Sequence, residues 1–144
     1  MIARVLFAPV FALVFAFAHF VQADFAQVNV YGQPLTFCAP GTGFFRNGTC
    51  ATDPVTDGGV HTVCGVITTA FLQNQLSNGN DLITPHPEIT FPGLKDGDRW
   101  CVYAQRWKQA LFQGAGIKAV LSATHIKTLE IVGMSLDAFK DFGI

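Results

Sequence analysis

Hydrophobic positions along the chain predict a few short strands. Residues 61–67 form an apolar, β-branched run that is typical of a buried strand. Residues 100–103 form a second short apolar run, and residues 29–38 alternate loosely between apolar and polar, which favours one or two short strands. Residues 117–123 predict a further strand. All four segments are short, so the sequence indicates limited sheet structure.

Helical spacing occurs in three places. Residues 68–76 predict a helix with a threonine cap at its start and Gly79 at its end. Residues 104–113 predict a second helix with one apolar face. Ser135 can cap a last helix that ends near Phe142. With few short strands, two or three short helices and long Gly/Pro-rich loops, the chain is predicted to form a small single α+β domain.

Two long segments between these elements are rich in turn residues. Residues 39–59 contain many glycines, and residues 80–98 contain three prolines. Loops of this length inside a compact domain are usually functional or covalently braced. We therefore expect any binding site to be built from these loops.

The amino terminus has the pattern of an export signal. Arg4 supplies one positive charge, residues 5–21 are almost entirely apolar, and a small-x-small tripeptide ends at Ala23. We expect cleavage after Ala23, which divides the chain into a signal peptide at 1–23 and a globular domain at 24–144. The alternatives are an uncleaved anchor or a bipartite leader to an organelle. The predicted location is secreted, lumenal or periplasmic.

Charge restricts the choice of partner. Arg4 is the one charged side chain in the first 23 residues, so the domain carries 8 basic and 10 acidic residues, a formal net charge of −2. That balance offers no basic patch for phosphate backbones, which argues against a nucleic-acid partner. After signal cleavage no membrane partner is expected.

Cysteine usage fits an oxidising compartment. The domain has an even number of cysteines, which is typical of a disulfide framework in exported proteins. Three pairings are possible, and the sequence does not choose among them. Asn47 begins an Asn-Gly-Thr sequon in a Gly-rich stretch, which predicts an exposed glycosylation site in a eukaryotic host. The disulfide candidates are Cys38, Cys50, Cys64 and Cys101.

Histidine and cysteine also permit two catalytic interpretations. In the first, Cys64 or Cys101 is a nucleophile, and His61 or His125 deprotonates it. In the second, His61 and Cys64 join Cys50 and Cys101 around a zinc ion, since three thiolates and one imidazole suit tetrahedral zinc. Neither is favoured over structural disulfides, so no cofactor is predicted and zinc stays an alternative.

Charged residues in the loops suggest a binding site. Arg46, His61, Asp81, Asp98 and Arg99 all lie in or beside the turn-rich segments. If they converge, guanidinium and carboxylate groups there could hold a small anionic or zwitterionic ligand by paired hydrogen bonds. We therefore predict a non-catalytic module that binds a small polar ligand. The alternatives are a small His/Cys-dependent or zinc-dependent enzyme, or a disulfide-braced structural protein.

Several stretches of the chain occur together in a fixed order. The most specific of them is the run Phe-Pro-Gly-Leu-Lys-Asp-Gly-Asp-Arg-Trp-Cys. The full set comprises residues 43–48, 61–64, 79–82, 84–85, Pro87, 91–101, Ala104, 106–107 and 123–125. In this order they resemble one bacterial family, catalogued as domain of unknown function 2237, and the resemblance covers nearly all of the chain from about Asn29 onward.

This chain departs from the family pattern in ways that bear on its chemistry. Members typically lack an export signal, so this one is expected to be relocated. Many have Cys-Cys where this chain has Thr49-Cys50, and Cys-x-Cys where it has Cys101-Val102-Tyr103. Two family cysteines are therefore absent, which weakens any metal or redox role that depends on the full set.

Overall fold

The computed structural model describes residues 26–58 and 60–144, so the predicted signal peptide lies outside the described residues. Within them there are two strands and four α-helices. None of the helices in these ranges is long and apolar enough to cross a membrane. The elements in chain order are β1 (Val63–Val66), α1 (Thr69–Ser77), β2 (Arg99–Val102), α2 (Ala104–Phe112), α3 (Lys127–Val132) and α4 (Leu136–Lys140), with 3₁₀ turns at Pro87–Ile89 and Leu121–Ala123. The α+β class predicted from the sequence is confirmed.

The two strands form one antiparallel pair at the centre of the domain. Cys64 lies opposite Cys101, and Gly65 lies opposite Trp100. A side chain at Gly65 would meet the Ile117 side chain, with Cβ only 2.5 Å from its Cδ1 atom. The small residue therefore lets the segment after α2 pack directly on β1.

The strand predicted at residues 117–123 is wrong. Ala119 makes single bridges to Gly65 and Gly143, and the chain then turns into the 3₁₀ segment Leu121–Ala123. The amide of Ala119 donates to the Phe142 carbonyl, so the carboxyl-terminal residues share this position and limit pairing with β1. Apolar composition here reflects burial rather than a regular ladder.

The strands predicted at residues 29–38 are also wrong. This segment forms only the isolated bridges Val28↔Pro34 and Asn29↔His125. The buried Asn29 side chain accepts hydrogen bonds from the amides of Tyr31 and Gln33, which closes a turn. Asparagine commonly competes with strand pairing in this way.

Local capping explains where the predicted helices begin. The Thr68 hydroxyl accepts the Phe71 amide at the start of α1, and the Ser135 hydroxyl accepts the Ala138 amide at the start of α4. Each bond satisfies an amide that has no partner inside the helix. The short helix α3 was not predicted, because the side chain at its N-cap position, Ile126, makes no capping hydrogen bond and its six residues show little periodicity.

Trp107 lies at the centre of the main hydrophobic core. Its ring is fully buried and packs against Phe139 and Phe142, with ring centroids 5.1 and 5.6 Å away. The indole Nε1–H donates to the Ile117 carbonyl at 2.9 Å. This one side chain thus joins α2, α4 and the extended segment that covers β1.

His125 is buried beneath the start of α3. Its Nδ1 atom accepts the Lys127 amide at 3.1 Å, and its own amide donates to the Thr62 carbonyl. Burial lowers the pKa of His125 below its ordinary value of 6.5, and the charge of Lys127 lowers this pKa further, although a hydrogen bond to the Ala26 backbone opposes the shift. The native state therefore favours the neutral imidazole.

The free energy of unfolding is expected to fall as the pH decreases below about 6.5. In that window the unfolded chain takes up a proton at His125 before the folded protein does, so acid favours unfolding. Urea denaturation between about pH 8 and about pH 5 measures the slope. His125→Asn, which keeps an acceptor for the Lys127 amide, should flatten it. An equal slope in both proteins would contradict the assignment.

Candidate functional site

Two adjoining cavities open at the end of the strand pair where β1 begins and β2 ends. Their volumes are about 650 and 390 Å³, and both fall in the usual range for small-molecule sites. They share part of their lining, so they form one concave region. The shared lining residues are His61, Asn80, Leu82, Trp100 and Cys101.

The larger cavity is lined by amide side chains over an apolar floor. The buried Gln75 accepts a hydrogen bond from the Asn80 side chain at 2.8 Å. Arg106 donates through Nη1 to the Asn78 carbonyl and to the Gln109 side chain. These groups are held in place by their neighbours, and they offer both donors and acceptors to the cavity.

Arg46 lines the smaller cavity in a strained backbone conformation. Its φ is +56°, and the only other non-glycine residue with positive φ among the described residues is Thr90, at +58°. The guanidinium lies 5.3 Å from the centroid of the Trp100 ring and donates a long bond, 3.4 Å, to the Ile89 carbonyl. Strain of this kind persists only where surrounding contacts hold it, and it concentrates at ligand sites.

Asp81 lines the smaller cavity and also fixes its own loop. One carboxylate oxygen accepts the amides of Ile83 and Thr84, and the other accepts the Thr84 hydroxyl at 2.6 Å. The Thr84 hydroxyl and these amides hold the pKa of Asp81 below its usual value. The carboxylate is therefore ionised at neutral pH and places a negative charge at the cavity wall.

Asp98 and Arg99 lie outside both cavities. Asp98 accepts the Lys95 amide and pairs with its ammonium group at 3.2 Å. Arg99 is exposed and comes directly before Trp100 on β2. Trp100 lines both cavities, whereas Arg99 lines neither. Of the five loop residues, the structure brings together Arg46, His61 and Asp81.

His61 is oriented by a carboxylate that sequence reasoning missed. Asp57 is buried, and its Oδ1 atom lies 2.5 Å from His61 Nδ1. Its Oδ2 atom accepts the Thr52 hydroxyl at 2.6 Å and the amides of Val60 and His61. The signal that could have found it is an aspartate four positions before a histidine at the end of a long loop.

Aromatic rings flank the imidazole on two sides. The Phe44 ring centroid lies 6.2 Å from that of His61, and Tyr103 makes an edge contact at 5.6 Å. The His61 side chain is still 41% exposed, whereas the Asp57 side chain is fully buried. His61 therefore presents one edge of its ring to the cavities, while Nδ1 on the other edge is hydrogen-bonded to the buried Asp57.

The sequence model of one protein family matches residues 28–141, which is most of the chain. That family is described as an uncharacterized protein conserved in bacteria, DUF2237. The chain belongs to the DUF2237 family. The resemblance found in the sequence motifs is thus confirmed. No curated protein matches the chain.

All four cysteines of this DUF2237 protein form disulfides. Cys38 is bonded to Cys64, and Cys50 is bonded to Cys101. The interpretation of Cys64 or Cys101 as a nucleophile is therefore corrected, because neither sulfur carries a proton to lose. His125, the second candidate base, is buried and lines neither of the two cavities.

The disulfides also affect the alternative interpretation in which cysteines and His61 bind a zinc ion. Among the described residues, the sulfur atoms of Cys38, Cys50 and Cys101 lie within 4.8 Å of one another. His61 does not belong to this group, and each sulfur already has a covalent partner. Zinc prefers thiolates, which disulfides do not provide. The DUF2237 cysteines are thus arranged as a buried covalent brace.

The sequon asparagine lies on an exposed loop. Asn47 is exposed, and its Oδ1 atom accepts both the amide and the hydroxyl of Thr49, at 3.0 and 2.8 Å. Asparagine side chains commonly stabilise turns in this way. The loop geometry leaves Asn47 on the surface beside Arg46.

Proposed function

We propose that this DUF2237 protein binds a small polar ligand with an anionic group in the two adjoining cavities. The observation that carries this proposal is Arg46, whose side chain reaches the smaller cavity from a left-handed backbone position. That conformation costs about 1 kcal/mol for a residue with a side chain. Its guanidinium stacks on Trp100 and makes one long hydrogen bond to the described residues, which leaves donors for a carboxylate or phosphate.

The larger cavity supports the polar character of the ligand. It is lined by Arg106 and four amide side chains, and by no acidic residue of the part of the chain that the structure describes. The amide side chains are those of Gln75, Asn80, Gln105 and Gln109. Amide side chains can donate and accept, which suits hydroxyl and amide groups on a small molecule. Asp81, which lines the smaller cavity, would favour a ligand that also carries a positive or hydrogen-donating group.

We further propose that the ligand is encountered outside the cytoplasm. Two buried disulfides fit an oxidising compartment, and they join the loops of the site to the sheet. The secretory pattern in residues 1–23 points the same way.

Arg46→Gly is expected to abolish ligand binding without loss of folding. Glycine adopts positive φ freely, so relief of backbone strain offsets the lost contact with Trp100. Thermal denaturation with a panel of small carboxylates, phosphate monoesters and amino acids provides the measurement. A ligand at about 100 times its Kd should stabilise the wild type by about 2.7 kcal/mol, and the variant should lose this increment.

Arg99→Ala is the matched control, because it removes an exposed arginine that lines neither cavity. It should retain the stabilisation. The proposal fails if no member of the panel stabilises the wild type, or if Arg46→Gly keeps the effect.

A further inference from the structure

We propose that Asp57 and His61 form a general-base pair that activates water to hydrolyse a small carboxylic ester with an anionic group. This inference rests on the proposed function, because the ester would occupy the same two cavities. The two residues of the pair have different roles. His61 acts on the water, and Asp57 is a positioning residue.

The hydrogen bonds of Asp57 fix the proton on His61. A carboxylate accepts hydrogen bonds, so the bond at Nδ1 places the imidazole proton on that nitrogen. The lone pair of the neutral ring is then on Nε2, at the exposed edge. Because Oδ2 is already occupied by Thr52 and two amides, Asp57 cannot rotate away from the imidazole.

A second histidine–carboxylate pair differs from Asp57–His61 in how far its carboxylate is exposed to solvent. His86 Nδ1 lies 2.8 Å from Glu88, but the Glu88 side chain is 66% exposed. Such surface pairs exchange readily with water and hold neither partner in one orientation. The Asp57 side chain is 0% exposed, so it directs His61 at one region of the cavity.

The start of α2 borders the larger cavity beside His61. Tyr103, which precedes α2, contacts the His61 ring, and both Gln105 and Arg106 line the larger cavity. The first amides of a helix have no partner within it, and no side chain caps α2. The Ala104 amide donates to the Val60 carbonyl, which aligns the helix start with the loop that carries His61. Partial positive charge here would stabilise negative charge on a carbonyl oxygen.

The reaction balances without a cofactor. His61 Nε2 takes a proton from water as the water oxygen bonds to the ester carbonyl carbon, and the carbonyl π electrons move to its oxygen. When the carbonyl re-forms, the bond to the alkoxy oxygen breaks, and that oxygen takes the proton from Nε2. The products are a carboxylic acid and an alcohol, and the imidazole returns to its neutral form.

The assay compares release of p-nitrophenol from mono-p-nitrophenyl terephthalate, whose para carboxylate cannot reach its own ester carbonyl, and from p-nitrophenyl benzoate. We expect the wild type to hydrolyse the anionic ester faster, and His61→Gln to lower kcat by about 10²-fold or more. Asp57→Asn should lower kcat with little change in KM, because the asparagine no longer fixes the tautomer. Asp53→Asn is the matched control: Asp53 also accepts loop amides but lines neither cavity, so activity should be unchanged.

Chemical rescue keeps the test informative if Asp57→Asn is poorly folded. His61→Ala leaves space for exogenous imidazole, which should raise the rate of the folded variant above that of the same imidazole solution without protein. A wild-type rate equal to that of His61→Gln, or an absence of imidazole rescue, overturns the inference. Ligand stabilisation of the wild type and of His61→Gln would persist in that case, so failure of the catalytic inference is distinguishable from failure of the binding proposal.

Discussion

Replacing Cys50 and Cys101 together by alanine is expected to lower the free energy of unfolding by about 4 kcal/mol. The bond joins residues 51 positions apart, so its loss releases a large amount of chain entropy in the unfolded state. Both side chains are buried, and truncation also removes packing beneath the cavities. Urea denaturation of the double variant and the wild type measures the difference.

The Cys38→Ala, Cys64→Ala double variant is the matched comparison. Its bond spans 26 positions, so the expected loss is smaller, at about 3.5 kcal/mol. Small domains are typically stable by about 5–15 kcal/mol, so loss of both bonds should leave little folded protein at physiological temperature. A change below about 1 kcal/mol in both double variants would show that the disulfides do not brace the fold.

Trp107→Ala is expected to lower the free energy of unfolding by about 3–5 kcal/mol. The substitution empties the fully buried space between α2 and α4 and leaves the Ile117 carbonyl without its donor. Trp107→Phe separates the two contributions, because it keeps an aromatic ring against Phe139 and removes the N–H donor. We expect it to cost less than the alanine variant.

Denaturation midpoints at constant m-value provide the measurement for both variants. Equal losses for Trp107→Ala and Trp107→Phe would mean that the hydrogen bond outweighs the packing. A loss below about 1 kcal/mol for the alanine variant would contradict a central role for Trp107 in the core.

The elements that the sequence predicted well are those with local causes. The helices α1 and α4 begin at hydroxyl caps, and Trp107 marks the buried face of α2. The predicted strand at residues 61–67 is shorter in the structure, where β1 begins at Val63. Two residues are lost from its start because His61 bonds to Asp57 rather than to a neighbouring strand.

The candidate site was predictable only in part, because the environment of some of its residues depends on tertiary packing. Turn composition indicated the loops that carry Arg46 and Asp81, since such loops need side-chain partners. The buried environment of Asp57 depends on its hydrogen bonds to Thr52, Val60 and His61, and no spacing rule encodes that environment. Gln75 was part of a predicted helix, but its contact with Asn80 depends on how the following loop folds back.

The order of the disulfides along the chain has a consequence for proteolysis. The two covalent loops interleave, because Cys50 lies between Cys38 and Cys64, and Cys64 lies between Cys50 and Cys101. The three intervals between consecutive cysteines contain the exposed loops that a protease would reach first. A single cut in any interval, or one cut in each of any two, leaves all pieces covalently joined. Such a molecule can be nicked twice between its cysteines, in different intervals, before any fragment is released.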